Sequence, residues 1–257
     1  MDTSAAHDDR RRRSTITNLL RLLEENRRFL NSTISRTRRQ IAALGLARSQ
    51  ALLEGLVALE DAGRADVCGV LHRAVVETWL LSMYILLKPV PDEEILEELE
   101  GERVRRARTL LKHTSDETLA KSLDEYLELR PDIKPVSLDY QRIAADVAAL
   151  CKAQGLSEHT DPKAIYDVYR QLSDNNIHVN LGTLLRHGKS DDQAWSLAPN
   201  PRSFIGWETT HAAKLTAFLA WHVFQAFNVV GWQEFRGVFT DLVSWYASIG
   251  VDPQDRP

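Results

Sequence analysis

The chain has 257 residues, 44% hydrophobic and 26% charged, enough apolar material to build one sizeable core. A formal net charge of −4 and a pI near 6.1 exclude broad electrostatic capture of nucleic acid and leave a local basic face as the only route to it. Two cysteines, Cys68 and Cys151, lie in apolar helical contexts without metal-ligand spacing, so they read as core thiols of a reducing compartment.

The opening MDTSAAHDDRRRR is basic but is followed by no apolar stretch of the secretory kind, which makes a cytoplasmic protein the expectation. Residues 1–11 are expected as a disordered basic tail, 12–250 as a single helical domain, and 251–257 as a second disordered tail. From about Arg12 to Leu44, Leu19, Leu20, Leu22, Leu23, Phe29, Leu30, Ile34 and Ile41 recur at helical spacing among many arginines, predicting one long amphipathic helix. Its basic face is either solvated or a surface for a partner helix, RNA or an acidic protein. A second helix is expected over Ala47–Asp61, turned by Ala62-Gly63 into the stretch 64–88, RADVCGVLHRAVVETWLLSMYILLK.

That stretch is apolar on nearly every face, so it is expected to be the central and most buried helix, ended by Pro89-Val90-Pro91. Asp92 can cap the next helix, Glu93 to about His113, which runs from acidic to basic as the helix dipole favours. Thr114 followed by Glu117 fits a capping box for a short helix ending near Leu129. Asp139–Ala153 is amphipathic again, and another helix starts near Lys163. Gly188–Gly206 reads as a long loop, Trp207 to about Val230 as a strongly apolar helix, and Trp232 to about Ile249 as the last. The Leu215–Val230 segment is broken by His222, Gln225 and Asn228 and is shorter than the roughly 20 apolar residues of a membrane span, so no membrane is expected. With no strand-like alternation, the chain reads as an all-α, single-domain bundle of seven to nine helices around residues 64–88.

Charged groups inside an apolar helix must be paired or used. Arg73 and Glu77 are four apart, hence on one face, and can form an ion pair; if it is sealed in the core, Glu77→Ala should cost roughly 3 to 5 kcal/mol. His72 points about a hundred degrees away. On the later helix Tyr169, Ser173, Asn176 and Asn180 follow i, i+4, i+7, i+11 and form one hydrogen-bonding stripe beside Asp174. His178 joins that stripe only if the helix breaks near Asp174–Asn176, which consecutive Asp-Asn-Asn allows. The cluster is either a structural network that fixes helix register or a site, with His178, Arg73 and Glu77 as catalytic candidates and Tyr169, Ser173, Asp174, Asn176 and Asn180 as binding candidates. No metal-ligand pairs recur on facing helices, and no phosphate or dinucleotide fingerprint appears, so neither metal nor cofactor is expected. The histidines at 113, 159, 187, 211 and 222 read as surface or core residues.

Two motifs carry a resemblance. Leu71-His72-Arg73 to Glu77, with Tyr84 beyond it, together with Tyr169, Leu172, Ser173 and His178, resembles a family of bacterial all-helical proteins of unknown function. More distantly, the chain is similar to the HEPN superfamily, helical bundles that often dimerise and include metal-independent RNases of toxin and phage-defence systems. Their signature is an Arg, a polar residue and then a His after four to six positions. Here Ser173 stands where the arginine belongs, and Arg73 is the residue that can take its role. In such a site the His is the general acid or base and the Arg stabilises the phosphorane charge. Two readings remain open: a binding or regulatory module whose cluster holds a small polar ligand, and a HEPN-like ribonuclease. The resemblance allows a homodimer, and RNA or a small polar ligand is the expected partner rather than DNA.

Overall fold

The computed structural model describes residues 3–30, 37–64, 67–156, 158–176, 188–190, 195–197 and 206–248, among which nine α-helices and one small hairpin are formed. The all-α bundle expected from the sequence is what the chain adopts.

Helix α1 spans Thr3–Asn26 and passes into a 3-10 turn at Arg27–Leu30; α2 spans Arg38–Asp61. The single helix expected from Arg12 to Leu44 is therefore two. The restart is dictated by Thr37, whose side chain accepts from the Gln40 backbone N–H while the Gln40 side chain accepts from the Thr37 N–H, a complete capping box. Residues 3–11, expected as a tail, are part of α1. Their anchor is Arg12, fully buried, which donates to Asp9 one turn earlier and to Glu60 on α2.

After the Ala62-Gly63 turn, α3 runs from Cys68 to Leu87, and α4 from Asp92 to His113. Asp92 does not cap α4, because its carboxylate is taken by the Arg38 backbone N–H and guanidinium. Helix α5 spans Glu117–Glu128, and its N-cap is Asp116 rather than Thr114; Asp116 accepts from the Thr118 and Leu119 N–H groups. An acidic cap two residues nearer the helix outcompetes the hydroxyl, which instead accepts from the Asp116 N–H. Helix α6 spans Tyr140–Ala153 behind its Asp139 cap, and α7 spans Pro162–Asn176. Within the expected loop, Gly188–Ser190 pairs antiparallel with Trp195–Leu197. Helices α8, Trp207–Ala226, and α9, Trp232–Ser248, complete the described chain.

Helix α3 touches α2, α6, α7 and α8, so it is central as expected. It is not the most buried helix. Val70 is 47% exposed, whereas every residue of α8 from Thr209 to Phe224 is buried, because α8 lies against α1, α2, α3 and α9. At Gly45, α2 comes so close to α3 that an added Cβ would overlap Ser82 Oγ, which explains the glycine inside a helix. A charged clamp fastens α4 and α6 to the end of α3: Glu98 accepts from Tyr84 at 2.8 Å, Lys88 at 2.8 Å and Arg142 at 2.5 Å. Those charges are structural. Both cysteines are buried and reduced, and burial pushes the Cys151 thiol up to about 11, which makes it inert. By length and composition α2 and α3 could each cross a membrane, but core helices of a bundle have the same character.

Candidate functional site

The polar cluster is assembled where α3 meets α6 and α7. Arg73 and Glu77, one turn apart on α3, form the expected pair: Nε donates to Glu77 Oε1 at 3.0 Å and Nη2 lies 2.9 Å from the same oxygen. The side chains are 16% and 33% exposed, so the pair is neither sealed in apolar packing nor bare. Helix α7 brings the Tyr169 ring against the guanidinium, with 5.5 Å from Cζ to the ring centroid, a cation–π contact. Tyr169 in turn stacks on Tyr140 of α6, with centroids 4.9 Å apart and planes 16° apart, and on Tyr166 at 6.0 Å. Burial first, and the Glu77 charge second, push the Tyr140 phenol up to about 12, so it remains a hydrogen-bond donor at any ordinary pH.

Glu77 Oε1 takes one edge of the guanidinium. Arg73 Nη1 and Glu77 Oε2 make no hydrogen bond among the described residues, which leaves one donor and one acceptor of the pair uncommitted. Tyr140 was not legible as a member; it follows the Asp139 cap and could have been found only by knowing that the first turn of α6 meets α7.

Ser173 is placed on the same helix, but its hydroxyl donates to the Tyr169 carbonyl at 2.9 Å, a bond within the helix. Asp174 and Asn176 belong to the last described turn of α7, and their side chains lie outside what is described. The candidates His178 and Asn180 lie outside the described residues.

A second polar constellation, which the sequence reading missed, lies between α3, α8 and α9. His72 is fully buried and faces α8, where its Nε2 is 2.7 Å from Nδ1 of His211. At that distance one ring donates and the other accepts. Trp207 stacks on His211 at 5.5 Å and 10°. One turn on, the Lys214 ammonium sits 3.3 Å from Glu158 Oε2 and 4.9 Å above the Tyr246 ring. Beside it His159, in the left-handed backbone region at φ 57°, packs on Trp79 and Phe218. Burial, and then the Lys214 charge, pull the His159 pKa down to about 3. The available signal was the run Thr209-Thr210-His211 with Lys214 on an otherwise apolar helix, since polar groups there must find partners across the core. Among the described residues no group of three or more metal-ligating side chains converges.

A family model described as "Family of unknown function (DUF5677)" matches residues 39–194. No curated protein and no solved structure matches the chain.

Proposed function

The chain belongs to the DUF5677 family, whose function is unknown, and from that premise we propose that it is a binding or regulatory module that recognises a small polar ligand at Arg73 and Glu77. One observation carries this reading: the pair is partly open to solvent, and it keeps a carboxylate acceptor and a guanidinium donor uncommitted among the described residues, with the guanidinium over the Tyr169 ring. A pair that only fixed register would gain most by using both. A ligand carrying an acceptor and a donor at neighbouring positions, such as a zwitterion or a carboxamide, satisfies both at once. The test is a thermal-shift screen of the amino acids and the common nucleosides against the wild-type chain and Arg73→Met. A compound that raises the melting temperature of the wild type alone supports the reading, and an identical response from the two proteins contradicts it.

The support for the ribonuclease reading is that Arg73 contacts, through Tyr169, the helix that ends at Asn176, two residues before His178 in the sequence. Under it the protein cleaves RNA without metal, with His178 as acid or base and Arg73 as the charge stabiliser. His178→Ala would then abolish cleavage of a mixed RNA substrate while chelators leave it unchanged; no cleavage by the wild type removes this reading. A homodimer and a cytoplasmic location, without membrane or DNA contact, belong to both proposals.

A further inference from the structure

Away from the Arg73 cluster, the N-terminal end of α2 and the C-terminal ends of α6 and α8 enclose a cleft of about 760 Å³, next to a smaller one of about 440 Å³. Gln154 and Gln225 line both, so the two are lobes of one depression. Each lobe holds a buried polar side chain with an unmet hydrogen-bonding atom: His222, 4% exposed, in the larger and Trp221, 7% exposed, in the smaller. Among the described residues, neither His222 Nε2 nor Trp221 Nε1 has a hydrogen-bond partner. An unmet buried group costs stability, and native chains keep few of them without a use.

The walls are cationic. Arg38, Arg39 and Arg236 stand against one carboxylate, Asp92, which is already held by Arg38. Arg39 and Arg236 are exposed, as are the carboxamides Gln154 and Gln225, which both donate and accept. In the smaller lobe the rings of Trp221 and Trp232 are parallel within 4° with centroids 6.4 Å apart, and the Arg236 guanidinium lies 5.1 Å from the Trp221 ring centroid. Parallel indoles beside a guanidinium favour a flat conjugated ring, and the surplus of arginines favours a negative charge. Burial keeps the His222 ring neutral, its pKa pulled down to about 4, so it adds no charge to the wall of the larger lobe.

We propose that this two-lobed cleft is a second binding site, independent of the Arg73 cluster, for a small organic anion that carries a planar conjugated ring. The ring lies in the tryptophan lobe, and the anionic group reaches the arginine-lined side.

The experiment is a ¹⁵N NMR titration that follows the tryptophan indole N–H signals of the full chain, with the Trp221 signal identified from Trp221→Phe. The probes are benzoate, indole-3-acetate and adenosine 5′-monophosphate, each paired with its neutral counterpart benzamide, indole-3-acetamide or adenosine. At least one anionic probe should shift the Trp221 signal saturably, with the neutral counterpart at least tenfold weaker. The double variant Arg39→Glu/Arg236→Glu, which changes two exposed side chains, should lose that response. Failure of all three anions to shift the signal, equal binding of the neutral counterpart, or a wild-type response from the double variant would each overturn the proposal.

Discussion

The guanidinium carbon of Arg73 sits 5.5 Å from the centroid of the Tyr169 ring, so the charged middle of α3 is joined to α7 by a cation–π contact as well as by packing. The same guanidinium is paired with Glu77, and both side chains retain solvent contact, 16% and 33%. Water therefore screens the pair, and Glu77→Ala should lower stability by about 1 kcal/mol rather than the roughly 3 to 5 kcal/mol of a sealed pair. Urea denaturation of the single variants and of the Glu77→Ala/Arg73→Met double variant measures the coupling. A loss above roughly 3 kcal/mol for Glu77→Ala would mean that the pair is closed in solution.

Arg12 presents the opposite case. Its side chain is 0% exposed and is held by Asp9, by Glu60, itself only 6% exposed, and by Thr210 on α8 at 3.4 Å. Glu60→Ala should therefore destabilise by roughly 3 to 5 kcal/mol, because it leaves a buried guanidinium with one solvent-exposed carboxylate partner. Arg21→Ala, which deletes an exposed i,i+4 pair with Glu25, should cost less than about 1 kcal/mol. Chemical denaturation that ranks the two equally would contradict the burial of Arg12.

Stability should also fall in mild acid. The folded chain holds His159 with a pKa of about 3 and His222 with one of about 4, both depressed chiefly by burial, whereas unfolded histidine titrates near 6.5. Below about pH 6.5 the unfolded chain takes up protons that the folded chain refuses, so unfolding becomes easier as pH falls, until each folded pKa is passed. Each histidine contributes about 1.4 kcal/mol per pH unit in that window. His222→Gln should remove one proton from the slope between pH 6 and 5. An unchanged slope would show that the ring is not held neutral.

Helix α2 meets α3 at Gly45, where a Cβ would overlap Ser82 Oγ, and Ser82 is itself buried. Gly45→Ala should cost roughly 1 to 3 kcal/mol by overpacking, and Ser82→Ala in the same chain should recover part of it. Thermal melts of the two singles and the double decide this; additive losses would place the strain elsewhere.

Helices were legible wherever periodicity and a cap agreed. The amphipathic run from Asp139 to Ala153 located α6, and Ala62-Gly63 located the turn into α3. The arginine-rich stretch failed because its leucine spacing continues across a break whose marker, Thr37 with Gln40, is a four-residue pattern inside a longer one. Arg73 and Glu77 could be paired because four residues separate them on one helix. His72 and His211 are 139 residues apart, and Arg12 and Thr210 are 198 apart, so no local spacing carries either relationship. Asp92 was misread as a cap for the same reason, since Arg38 reaches it from 54 residues away, whereas Thr114 was misread against a local competitor, Asp116, two residues nearer the helix.

Recognition at the Arg73–Glu77 pair is tested most directly by isothermal titration of the wild type, Arg73→Met and Glu77→Gln with the compound that most raises the wild-type melting temperature. Arg73→Met removes the guanidinium while keeping an unbranched apolar stem, and Glu77→Gln removes the carboxylate charge while keeping the shape of the side chain. Both should bind at least tenfold more weakly, a loss of about 1.4 kcal/mol or more, with folding unchanged by circular dichroism. Equal affinity in all three proteins would contradict a binding site at this pair and leave Arg73, Glu77 and Tyr169 as a structural link between α3 and α7.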